Sequence, residues 1–150
     1  MNPKANEQYL QNEILSADPI LLIRRLYEGA LRSVSEARAL LRAGDIRGRA
    51  REVLRAHAIV TELAQSLDHT RGGELSRNLA GLYDYLQRRL LDGNFRQRDE
   101  PFAEVESLLR TLLEGWEQCQ AIANSAQEPL LDGDDDFAME EPYERLSIAG

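Results

Sequence analysis

The sequence predicts an all-α fold, an antiparallel up-down four-helix bundle, on three observations. Apolar residues recur at alternating three- and four-residue steps through four long stretches, the spacing of one helical face. The joints between those stretches are short and carry turn residues, which makes consecutive helices antiparallel neighbours. Strict alternation of the kind that marks strands has little support. At 150 residues, 43% of them hydrophobic, the chain fits one domain with one core.

Ahead of the bundle, Tyr9 to Leu15 reads as one or two helical turns, too short to stand without docking. Residues 1–18 are therefore expected to form a short N-terminal cap. The first helix runs from Pro19 to Ala43, with Asp18 as N-cap, Pro19 in the first turn and Gly44 to stop it. Its inward stripe reads Ile23, Leu26, Ala30, Val34, Ala37, Leu41, and Ile20, Tyr27 and Leu31 fall in the same arc of about 140°. Leu21 and Leu22 fall outside it, Leu21 among Arg25, Glu28 and Arg32 on the face that should be wet.

The second helix spans roughly Ile46 to Leu67, with Val53, Ala56, Val60, Leu63 and Leu67 on one face. The third spans roughly Glu74 to Asn94 and turns Leu75, Leu79, Leu82, Leu86 and Leu90 inward, with Tyr83 and Tyr85 flanking the stripe. The fourth, Pro101 to about Ala126, has the cleanest seam: Phe102, Val105, Leu109, Leu112, Trp116, Cys119, Ala123, with Leu108 and Leu113 outside it. Residues 19–126 thus make the bundle, and 127–150 read as a disordered acidic tail.

The net charge of −8 belongs almost wholly to that tail, where residues 128–150 hold eight acids and one arginine. The near-neutral body spreads its arginines along the helices and offers no clustered basic face for nucleic acid. No run approaches the length of a membrane span, and the start lacks a secretory layout. A single cysteine, Cys119, fits a reducing cytosolic home and is expected to be buried and inert on the fourth-helix seam. His57 and His69 lack the Glu-x-x-His spacing of a di-iron bundle. The run "DGDDDF" places Asp132, Asp134 and Asp136 at calcium-loop spacing, but Phe137 stands where that loop needs glycine and Tyr143 where it needs glutamate. No catalytic constellation, cofactor or metal site emerges. What remains is apolar helix surface beyond one core face, the pattern of grooves that take amphipathic helices.

The stretches "SADPILLIRRLYEGA", "AGDI", "RAHAIVTELAQSLD", "RGGELSRNLAGLYDYLQRRLLDGN" and "EVESLLRTLLEGW" resemble, in order and spacing, the flagellin export chaperone family, FliS. The resemblance covers about residues 9–118. It implies a cytosolic, non-enzymatic helical bundle that binds the C-terminal, polymerisation-prone segment of flagellin and prevents premature assembly. It also implies delivery to the cytosolic domain of the flagellar export gate, and it leaves open a homodimer when no client is bound. Matched to the family's motifs, Tyr9 lies in the N-terminal segment thought to cap an apolar groove. Pro19, Leu26, Tyr27 and Gly29 match the first-helix motif, Leu82, Tyr83, Asp84 and Tyr85 the third-helix motif, and Trp116 the fourth-helix tryptophan. The expected partner-binding set is Tyr9, Ile14, Leu21, Leu22, Tyr27, Leu82, Tyr83, Tyr85 and Trp116. For Leu26, Tyr27, Leu82 and Trp116 a role in holding the bundle together is the favoured reading, and for Tyr9 and Tyr85 the binding role is. The acidic tail is outside the family pattern. Its apolar residues, Leu130, Leu131, Phe137, Tyr143, Leu146 and Ile148, set a fold-back over the client groove against a plain solubilising role. An alternative reading is a regulatory bundle with a non-flagellin cytosolic partner.

Overall fold

The structure, a computed structural model, describes residues 18–127. Tyr9, Ile14, the expected cap and the acidic tail lie outside the described residues. The chain runs through four helices, α1 (Pro19–Ala43), α2 (Ile46–Gln65), α3 (Gly73–Arg96) and α4 (Asp99–Gln127).

The boundaries follow from local chemistry. Asp18 Oδ1 accepts the Ile20 N–H at 3.0 Å, and Pro19 fills the first turn of α1. Gly44 ends α1 in the left-handed region at φ 77°, its N–H returned to the carbonyls of Leu40 and Leu41. Asp45 then caps α2 by accepting the Gly48 N–H at 2.9 Å. C-cap and N-cap are thus adjacent residues, and the reversal between α1 and α2 needs no more chain. α4 begins at Asp99, two residues before the proline from which the sequence predicts it. Pro101 sits inside the first turn, where its missing N–H would have had no helical partner.

Each helix packs against its sequence neighbours, and α4 closes the ring against α1, so α1/α3 and α2/α4 are the diagonals. The buried core has smaller side chains in the middle of the α1/α2 contact, with Tyr27 and Leu63 toward one end of it, and it includes Val105 on α4. Ala30, Val34 and Ala37 of α1 meet Val53, Ala56 and Val60 of α2, while Tyr83, Leu86, Leu90, Phe102 and Leu109 come from α3 and α4. Small side chains let α1 and α2 approach closely, and the larger ones fill the space opposite. Between α3 and α4 the fit depends on Gly93, where a Cβ would stand 2.9 Å from the buried ring of Phe102.

Charged clamps tie α4 to both neighbours. The Arg38 guanidinium of α1 bonds Asp99 with Nε and Nη2 at 2.8 and 2.9 Å, and Glu106 with Nη1 at 2.7 Å. The first effect of these bonds is to raise Arg38 and to hold the Asp99 carboxyl below its ordinary range. On the other side, Tyr85 and Arg89 of α3 both donate to Glu104 Oε1. The Tyr85 hydroxyl, then Arg89, hold the Glu104 carboxyl low. Arg49 is buried without a carboxylate and instead donates to the side-chain and backbone oxygens of Asn94 at 2.9 and 3.2 Å. Those oxygens lie at the C-terminal, negative end of α3, where a cation is favoured.

Four expectations are corrected. The third-helix seam runs through Ser76, Leu79, Tyr83, Leu86, Leu90 and Gly93, so Tyr83 is in the core and Leu75 is exposed. The seam can include a tyrosine because the Tyr83 hydroxyl finds a buried partner in Tyr27. Ile20 is exposed in the first turn of α1. Cys119 is exposed: by the Tyr85–Glu104 register the start of α3 at Gly73 is level with about Trp116, so at Cys119 the α4 seam has run past α3. Leu108 and Leu113 lean half-buried on the core rather than standing apart from it.

Candidate functional site

Full burial stops short of one end of the bundle. Along α1 it begins only at Tyr27, and along α4 it ends at Leu109. Between these limits and the helix ends lie Ile23 and Leu26 on α1 and Leu112, Leu113 and Trp116 on α4, all half-buried against the core. Ile122 follows, exposed. The Arg24–Glu117 ion pair at 3.4 Å shows that these parts of α1 and α4 lie at the same level. The result is an apolar end that two helices of the ring leave partly open.

The floor of this end is the Tyr27–Tyr83 pair, whose hydroxyl oxygens lie 2.6 Å apart across the α1/α3 diagonal. Tyr27 is 4% and Tyr83 3% exposed. Burial pushes both phenols above their ordinary value, so they stay neutral at any physiological pH. Above the floor stands Trp116, whose indole N–H is the one buried side-chain polar group without a hydrogen-bond partner among the described residues.

The predicted site residues divide into three groups. Tyr27 and Tyr83 hold the bundle together and present almost no surface. Leu82 and Tyr85 lie along the α3/α4 seam beside the buried part of α4, between Glu104 and Leu108, and Trp116 stands about two turns beyond Leu108 at the open end. The Tyr85–Glu104 bond sets the antiparallel register there and brings half-buried Leu82 level with Leu108. Leu21 and Leu22 lie elsewhere: Leu21, 38% exposed, points outward, and half-buried Leu22 lies seven residues before Gly29 on the α2-facing side of α1. They belong to the same end of the bundle but not to the same groove. Sequence reasoning missed Leu75, which continues the Leu82 side of α3, and Ile122, exposed near the end of α4. The signal available for Leu75 is its seven-residue step to Leu82, which puts both on one side of α3.

Among the described residues, no three His, Cys, Asp or Glu side chains are grouped to hold a metal ion. No described helix is long and apolar enough to cross a membrane. The arrangement is suited to holding apolar side chains of another polypeptide.

A model of the family described as "Flagellar protein FliS" matches residues 1–123. The chain belongs to the FliS family. Relatives described as flagellar secretion chaperone FliS include those of Salmonella typhimurium and Campylobacter jejuni. The first is 37% identical over 110 residues, 73% of this chain and 82% of that protein. The second is 36% identical over 117 residues, 78% of this chain and 91% of that protein. The FliSB chaperone of Pseudomonas aeruginosa is 32% identical over 118 residues, 76% and 94% of the respective chains. FliS is a family of chaperones, not of enzymes, and the family match ends before the acidic tail.

Proposed function

We propose that this FliS-family chain is a cytosolic export chaperone for flagellin. In this reading it binds the C-terminal, polymerisation-prone segment of its client, prevents premature filament assembly and presents the complex to the cytosolic domain of the export gate. The observation that carries the reading is the apolar end left open by α1 and α4, with Trp116 in it and Leu82 and Leu108 leading to it along the α3/α4 seam. A client segment that orders on binding loses chain entropy, and a long apolar groove offsets that loss better than a compact pocket.

The test is titration calorimetry of the full chain with a synthetic flagellin C-terminal peptide. The expected result is binding near 1:1 with a negative heat-capacity change, the mark of apolar burial. Leu82→Asp should weaken it at least tenfold while far-UV dichroism shows the helices retained. Absence of binding at about 50 μM peptide, a free energy weaker than about −6 kcal/mol, overturns the assignment.

A further inference from the structure

A second apolar surface lies on the outer side of the α2/α3 pair. Gln87 donates to the His57 carbonyl and the Thr61 hydroxyl, so these sides of α3 and α2 face each other. Leu91 and Phe95 follow Gln87 at four-residue steps, and Leu54 lies three residues before His57 on the α2 side. The Arg49–Asn94 bond extends the same register, which sets Leu54 level with the turn that holds Leu91. Leu54 is 62%, Leu91 45% and Phe95 88% exposed. None is used by the core, and all lie away from the open end formed by α1 and α4.

Cations border this strip. Arg47 and Arg51 on α2 lie beside Leu54, and Arg77 stands on the same side of α3 about 21 Å before Leu91; all three are exposed, and none forms an ion pair with a described residue. They are part of a wider asymmetry. Residues 19–96 hold fourteen arginines against nine carboxylates, whereas α4 holds one arginine against six. The groove between α1 and α2 is different in kind, because Glu36 and Glu52 stand in it beside Arg32 and Arg55 and balance its charge internally.

The chain supplies a segment of complementary chemistry. Residues 128–150 carry eight carboxylates against one arginine and intersperse Phe137, Tyr143 and Leu146 among them. This segment continues from acidic α4, which repels it, and the nearest surface with excess positive charge is that of the other three helices. Its 23 residues span up to about 80 Å when extended, against about 43 Å for the whole of α4, so length does not limit where on α2/α3 it lands.

We propose that residues 132–148 of this chain dock on the outer α2/α3 face. Their carboxylates meet Arg47, Arg51 and Arg77, and Phe137, Tyr143 and Leu146 cover Leu54, Leu91 and Phe95. The contact covers the second apolar surface from within the same molecule. It does not depend on which client the open end takes, and it lies beyond the part of the chain that matches the family.

The test uses the ¹⁵N-labelled full chain carrying a nitroxide at Ala58→Cys, an exposed position one turn from Leu54, with Cys119→Ser to remove the native thiol. Amides of residues 137–148 should be broadened several-fold near 0.1 M salt, where the Debye length is about 10 Å. They should sharpen near 1 M salt, where it is about 3 Å. The variants Arg47→Glu/Arg51→Glu/Arg77→Glu and Leu54→Ser/Phe95→Ser alter only exposed side chains and should each abolish the broadening while leaving the helical dichroism intact. Tail amides that are sharp at low salt, or broadening that survives the triple arginine variant, overturn the proposal. So does broadening that appears only when nitroxide-labelled unenriched chain is mixed with unlabelled ¹⁵N chain, since that places a second copy on the face.

Discussion

Gly93→Ala should destabilise the bundle by about 1 kcal/mol, whereas the same substitution at Gly81 should stabilise it. A Cβ at position 93 would lie 2.9 Å from Phe102 Cε1 and 3.1 Å from Cδ1 and Cζ, closer than carbon atoms tolerate. The ring is fully buried and wedged between α3 and α4, so relief requires the helices to shift. Overpacking of this sort costs about 1–3 kcal/mol, and replacing a mid-helix glycine by alanine returns up to about 1 kcal/mol. At Gly81 nothing lies within 4 Å of the added carbon, so only the favourable part remains, about 0.5–1 kcal/mol. The two variants should therefore differ by about 2 kcal/mol in urea titrations followed by far-UV dichroism. Gly93→Ala/Phe102→Leu should recover part of the loss. A Gly93→Ala protein that gains stability like Gly81→Ala would show that the α3/α4 contact is looser than the 2.9 Å approach implies.

Tyr83→Phe should cost about 1–3 kcal/mol by stranding the buried Tyr27 hydroxyl, and Tyr27→Phe/Tyr83→Phe should cost less than the single change, by thermal or urea unfolding. Arg38→Met should cost about 1 kcal/mol, because it releases two carboxylates of α4 that remain partly solvated. The Asp99 and Glu104 carboxyls are held below their ordinary values, so their contribution is complete above about pH 5 and is lost as pH falls through the lowered folded values. The thermal midpoint should accordingly be flat near neutrality and drop below about pH 4, more shallowly in Arg38→Met. Leu21→Asp should change stability by no more than about 0.5 kcal/mol, since the side chain already faces water. Global unfolding of that variant would mean the first helix is turned the other way.

The fold was legible because four long stretches carry a helical apolar period with short turn-rich joints between them, and because capping chemistry agrees with that period at α1. Asp18, Pro19 and Gly44 mark the limits of α1 without ambiguity, and small residues on α1 and α2 follow one face throughout. The site was legible only in part. Counting leucines on α3 put Leu75 inside and Tyr83 beside the seam, because a tyrosine looks amphipathic until its partner is known. Tyr27 lies 56 residues away, and no local pattern links the two hydroxyls. Cys119 continues the α4 seam faultlessly by spacing, yet periodicity says which side of a helix is inward and not where neighbouring helices cease to cover it. The open end is a property of unequal coverage, and that is invisible one helix at a time.

The placement of Trp116 has a practical consequence. It is the chain's single tryptophan, and its ring stands half-buried where coverage by α1 and α3 runs out. Intrinsic indole emission therefore reports on this end of the molecule and nowhere else. Occupancy there can be followed on unmodified protein, in real time and at low concentration, as a shift in colour. Any ligand that settles elsewhere on the four helices will leave that colour unchanged.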